Sequence, residues 1–223
     1  MYTWQWGVIA QYKGVFLQGA LVTLEVTLAA VVAGTVLGIL VALARRSSIV
    51  LVPQAMRLYI ELFRGLPILV LLIWIFYVLP LLLSLRLSPF WAAFVALALN
   101  LSAYVAETIR GGIDSIQRNQ YESGLTLGLR PLQVMVLIVL PQAFRVSLPS
   151  LLGLYIETLK NSSLASVIAV NELLHRSNEL ISSTYRPLEI YTAVAAIYLA
   201  IVIPATLFSG WLESRLAKKQ RTI

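Results

Sequence analysis

Charged residues divide the 223-residue chain into long apolar runs. Between Lys13 and Arg45 the only charge is Glu25, and Gly65–Leu85, Leu87–Ala106 and Ile190–Leu212 carry none. A further run, Val146–Val170, is interrupted by Glu157 and Lys160. Each run reaches the roughly 20 residues that an α-helix needs to cross the hydrocarbon of a bilayer. The pattern predicts an all-α integral membrane protein with five spanning helices near 15–44, 65–85, 87–109, 146–170 and 189–212. These spans make one transmembrane domain over 1–223. Continuous runs, rather than alternation of polar and apolar residues, exclude barrel strands. The stretch Ser47–Met56 is too short to span and predicts an interfacial turn or short helix ahead of Pro67.

Composition agrees and narrows the class. Apolar residues make up 59% of the chain and charged residues 12%, mean hydropathy is +0.85, and there is no Cys. So little charge cannot cover a water-soluble fold of this size, and the missing Cys excludes a disulfide scaffold or thiolate metal site. Arg45, Arg46, Arg57, Arg64, Arg110, Arg118, Arg130, Arg145, Arg215, Lys218, Lys219 and Arg221 fall on one side of the predicted spans. Lys13, Arg86, Arg176 and Arg186 fall on the other. The first group belongs in the cytoplasm, which places the N-terminus outside and the C-terminus inside. The net charge of +7 is therefore topological bias rather than a nucleic-acid footprint. Trp4, Trp6, Trp91 and Trp211 fall near predicted boundaries. The N-terminus lacks the basic start and small-residue cleavage site of a cleaved signal peptide.

The inside connection 110–145 is too well punctuated for a plain linker. Asn119 precedes Glu122 by three residues, the spacing of a capping box. Gly128 stands where a helix ends in a left-handed residue, and Pro131 where a new one begins. The spacing predicts a helix over 120–127 and a second over 132–140, closed by Pro141. The first is rich in small residues (Ser123, Gly124, Thr126, then Gly128) and is shaped to let a partner backbone approach closely. A solvated loop in which Glu122 merely caps its own helix fits the same spacing.

Charges inside spans are the other candidates, since each costs roughly 2.5–3.5 kcal/mol at the bilayer centre on insertion scales. Glu157 and Lys160 share a helix face and can neutralise each other, or can form a substrate site with Asn161 and Ser162. Glu25 can reach water at the outer boundary, or can face the pathway and add negative potential. Glu107 with Arg110, and Glu61 with Arg64, read as three-apart pairs at a cytoplasmic boundary. Asn100, Ser102 and Tyr104 can line a pathway or hydrogen-bond a neighbouring helix. His175 is the only histidine, so no metal site is expected. Gly34 and Gly38, four apart, form a face for close helix packing.

Glu122-Ser123-Gly124, then Gly128, then Ile138-Val139-Leu140-Pro141 resembles the E-A-A, G, I-x-L-P signature of ATP-binding cassette (ABC) importer permeases. Ser-Gly stands in place of Ala-Ala, which keeps both positions small. Tyr59–Pro67, Ala103–Ile113 and Leu159–Leu164 are similar to the polar amino acid uptake subfamily, and the likeness runs from about Gly19 to Leu216. The resemblance implies a type I ABC importer permease fold in the bacterial cytoplasmic (inner) membrane. It implies a second permease subunit, alike or homologous, two ABC ATPase subunits below, a substrate-binding protein outside, and surrounding membrane lipid. It places the coupling helix at Glu122–Gly128 and implies a polar or charged amino acid as cargo. With no Walker A loop in the chain, MgATP is expected only in the partner ATPases, and no cofactor here. An ATP-independent secondary transporter or channel is the alternative, though no internal repeat is evident. A membrane enzyme would need a nucleophile–base pair or a metal constellation, for which one histidine is poor material.

Overall fold

The computed structural model describes residues 2–220, with side chains as far as Arg215. Arg221, and the side chains of Lys218 and Lys219, lie outside the described residues. Among the described residues nine helices follow in order: α1 Gly7–Gln11, α2 Lys13–Ala44, α3 Leu51–Gly65, α4 Ile68–Leu83, α5 Pro89–Asp114, α6 Arg118–Thr126, α7 Pro131–Ile168, α8 Leu173–Thr184 and α9 Pro187–Gln220.

The central pair is α2 against α5. Small residues let them approach: a Cβ added at Gly38 would stand 2.6 Å from Val105 Cβ and 2.7 Å from the Ser102 carbonyl oxygen. At Gly34 the corresponding obstacle is the Ala98 carbonyl at 3.0 Å. The predicted small-residue face is therefore formed. Helix α7 then leans on α5, where Ser147 donates to the Thr108 carbonyl at 3.3 Å beside Gly112. At one end Arg45 pairs with Glu107 at 2.8 Å, and Glu107 also pairs with Arg110 as its spacing predicts.

The opposite end gathers the N-terminal segment, α8 and the start of α9. The Gln5 amide donates to Glu189 at 2.8 Å, the Tyr2 hydroxyl donates to the same carboxylate, and Arg186 donates to the Thr3 carbonyl at 2.9 Å. Helix α8 was not expected in the connection after Asn171. It begins at Glu172, whose carboxylate accepts from the amides of Leu174 and His175 at 2.8 and 2.7 Å, and it seats Leu173 against Gly19 of α2.

The second expected crossing, 65–85, falls on α4, and α3 lies ahead of it, bent by 104° from its direction. Pro67 lacks an N–H and forces Leu66 into extended backbone (φ −83°, ψ 131°), which ends α3. The carbonyls this frees are satisfied from α5: Asn100 donates to Phe63 O at 2.8 Å, and Tyr104 to Arg64 O at 3.5 Å. With Tyr59 and Ser102 hydroxyls 2.6 Å apart, the three polar residues of this span serve helix packing. Arg64 stacks over the Tyr104 ring, 5.1 Å from its centroid, rather than pairing with Glu61.

One expectation needs correction: Pro141 does not close a helix over 132–140. A π-turn at Met135–Val139 widens the backbone just before it, and α7 runs on from Pro131 to Ile168. The wider turn moves aside the carbonyl that a proline ring would otherwise strike. Pro80 follows a π-turn at Trp74–Val78 by the same two residues. The helix that carries the fourth expected span, 146–170, therefore begins at Pro131.

Candidate functional site

Two regions hold the candidate residues, and α7 joins them. The first is α6, a nine-residue helix at the Arg-rich end. The turn after it matches expectation: Gly128 adopts φ +80°, and the Leu129 amide closes back on the Gly124 carbonyl at 3.2 Å. The capping box does not form. Helix α6 starts at Arg118 without a side-chain cap, and Glu122 accepts from Arg118 at 2.9 Å on the exposed surface. The box-like bond lies at the start of the next helix, α7, where Gln133 accepts from the Arg130 amide at 2.8 Å.

Gly124 is the only buried residue of α6. A Cβ there would meet Val134 Cγ2 at 2.8 Å and Ile138 Cδ1 at 2.9 Å. Its smallness thus serves the docking of α6 onto α7 within the chain, not the approach of a partner backbone. Glu122, Ser123, Leu125, Thr126, Leu127 and Gly128 are all exposed, Leu127 at 79%. Leu125 and Leu127 therefore stand as exposed apolar side chains on a helix seated through one buried residue.

The second region lies along the far half of α7. Glu157 and Lys160 are exposed on its surface, Asn161 is half-buried, and Glu25 is exposed on α2. Among the described residues no ion pair joins Glu157 to Lys160, so the expected neutralisation does not occur. Ser162 is fully buried and donates to the Leu159 carbonyl at 2.7 Å, which turns it away from any open path. Sequence reasoning missed Ser163 and Tyr198. With Lys160, Leu199 and Val202 they line an open recess of about 280 Å³.

The Tyr198 hydroxyl is held by Glu172, to which it donates at 3.2 Å. Glu172 is 0% exposed. Burial pushes its carboxyl above the ordinary value of 4.5, opposed by the amides of Leu174 and His175 and by the Tyr198 hydroxyl, which favour the carboxylate. A polar side chain lining the recess is thereby tied to the cap of α8. His175 lies 3.7 Å from Glu179, and no group of metal-ligating side chains occurs among the described residues.

Comparison with known proteins agrees with this geometry. The family of binding-protein-dependent transport system inner membrane components matches residues 34–218. The glutamine transport system permease protein GlnP of Escherichia coli (strain K12) is 35% identical over 95% of this chain and 97% of its own. The L-cystine transport system permease protein TcyL of Bacillus subtilis (strain 168) is 36% identical over 91% of this chain and 87% of its own. A crystal structure of an amino acid ABC transporter with histidines superposes with a TM-score of 0.91 at 34% identity, covering 96% of this chain and all of that one. The chain belongs to the inner membrane components of binding-protein-dependent transport systems, as an ABC permease subunit of type I importer fold that carries no ATPase site of its own.

Proposed function

We propose that this chain is the translocation subunit of an ATP-driven importer that moves a polar or charged amino acid into the cytoplasm. Two ABC ATPase subunits hydrolyse MgATP below it, a second permease subunit completes the pathway, and a binding protein delivers substrate outside. One observation carries the reading. The exposed helix α6 rests through Gly124 on Val134 and Ile138 of α7, and the same continuous helix carries Glu157 and Lys160. A displacement of α6 by an ATPase is thus a displacement of the helix that bears the intramembrane charges.

The unpaired Glu157 and Lys160 suit a zwitterion. Three residues apart on a helix, they sit about 5–6 Å apart at Cβ. Glu157 can take the ammonium of an amino acid and Lys160 its carboxylate, with Asn161 and the hydroxyls of Ser163 and Tyr198 nearby; Glu25 adds negative potential. Relatives 35% and 36% identical are named for glutamine and for cystine, which favours a shared zwitterionic site over one fitted to a single side chain. The broken crossing at Leu66–Pro67 also suits an ATP-independent carrier, but that reading leaves α6 without a task.

Glu122→Arg tests the assignment of Glu122, Ser123, Gly124, Thr126 and Gly128 to coupling. The substituted permease should elute like the native one, while ATP hydrolysis stimulated by the loaded binding protein is lost. Normal ATPase co-purification together with normal stimulated hydrolysis would remove the assignment.

A further inference from the structure

A deep recess lies away from the charged face of α7. It has a volume of about 560 Å³ and opens between α2, α5 and α7, with Thr35, Ile39 and Leu43 on one wall and Phe144, Leu148 and Leu151 facing them. Its shape follows from two contacts. Tyr155 of α7 meets Thr35 of α2 at 3.0 Å, and Met135 of α7 meets Arg46 beyond the end of α2 at 3.4 Å. The long side chains of Arg46 and Met135 close one end of the slot, and the Thr35–Tyr155 pair closes the other.

The lining is apolar, and its hydroxyls are already used. Thr35 and Tyr155 bond each other, and Ser147 donates to Thr108 O. An amino acid would therefore find no partner for its charges along the walls. The exception is at the mouth. Arg46 borders both this recess and a smaller one of about 210 Å³ formed with Arg45, Arg110 and Asp114. Arg45 and Arg110 are paired with carboxylates. Arg46 is exposed and has no acidic partner among the described residues. From Thr35 to Arg46 the recess covers about 16 Å, close to half of the roughly 30 Å hydrocarbon core.

An apolar slot one leaflet deep, with an unpaired guanidinium at headgroup level, has the charge and length of a lipid site. We propose that it holds one anionic phospholipid of the leaflet on the Arg-rich side, with an acyl chain between α2 and α7 and the phosphate on Arg46. The lipid would then fill space that α7 must close or widen when it moves, so its presence conditions the motion passed on from α6.

The test uses the assembled transporter, purified in mild detergent and titrated with dioleoylphosphatidylglycerol or dioleoylphosphatidylcholine under native mass spectrometry. One surface cation is worth about a fivefold preference for an anionic lipid. The native complex should retain one phosphatidylglycerol per permease chain with at least that preference. Arg46→Gln should abolish the preference, while Arg57→Gln, at an exposed arginine outside the recess, should leave it intact. Leu43→Trp, which fills the slot, should expel both lipids. Equal retention of the two lipids by the native complex would overturn the proposal, as would a preference that survives Arg46→Gln. Equal background retention is also the result expected if a helix of the second permease subunit occupies the slot.

Discussion

Gly124 offers the sharpest test of how α6 is attached to the membrane domain. The helix has one buried residue and an exposed Arg118–Glu122 pair, and such surface pairs contribute about 0–1 kcal/mol. Its seat is therefore the contact of Gly124 with Val134 and Ile138. Two effects oppose each other when a side chain is added. Replacing Gly by Ala inside a helix gains about 0.5–1 kcal/mol of intrinsic propensity. A methyl at 2.8–3.0 Å from Val134 Cγ1, Val134 Cγ2 and Ile138 Cδ1 must push those side-chain ends aside, and overpacking of this kind costs about 1–3 kcal/mol. Gly124→Ala should come out near neutral, because the atoms in the way are side-chain ends that can yield. Gly124→Leu cannot be absorbed so, and should lift α6 off α7. A loss of about 2 kcal/mol is roughly thirtyfold in occupancy of the docked position. The assay is uptake and ATP hydrolysis side by side in proteoliposomes containing the ATPase subunits and binding protein. Gly124→Leu should reduce transport per ATP by at least tenfold, with the spans folded as judged by gel filtration, and Gly124→Ala should retain most of it. Native coupling in Gly124→Leu would refute the mechanical link.

Other expectations follow from the same geometry. Gly38→Ala should lower the melting temperature in detergent, because its methyl meets Val105 Cβ at 2.6 Å and a backbone carbonyl at 2.7 Å, and neither can rotate away; an unchanged or raised melting point would contradict the packing. Glu157→Gln should raise the substrate concentration needed for half-maximal uptake while subunit assembly, followed by co-purification, is unchanged; identical uptake across a panel of amino acids would leave Glu157 without a role in the pathway. Glu172 has a folded pKa above its ordinary 4.5 because burial favours the neutral acid. Its contribution is therefore fully present below about pH 4.5 and is lost as pH rises through the raised value. The native protein should lose part of its thermal stability across that rise and Glu172→Gln should lose less; identical pH profiles by tryptophan fluorescence would show that Glu172 does not titrate there.

Much of this was legible in the residues, because the strongest signals are local. Apolar runs marked the helices long and apolar enough to cross, four of them or five with the bent pair α3–α4, Gly128 marked a left-handed turn, and the small residues at 34 and 38 marked the face where α2 meets α5. The departures each have a physical cause. Pro141 reads as a stop only while the backbone before it is a regular α-helix, and the π-turn at Met135–Val139 removes that premise. The break at Leu66–Pro67 was legible as a boundary, but not that Asn100 and Tyr104 supply the freed carbonyls. Glu157 and Lys160 have the spacing of a pair, but spacing brings backbones near and leaves the side chains free. Tyr198, thirty-eight residues beyond Lys160, reaches the same recess only through the packing of α9 on α7.

The central claim is that this permease moves an amino acid only when ATPase partners drive it. Purified with its co-expressed partner subunits and reconstituted, it should take up labelled amino acids only when both ATP and the binding protein are present, and the panel would identify the cargo. Uptake by the chain alone, without an ATPase, would contradict the account and leave α6 with no function to explain its exposure.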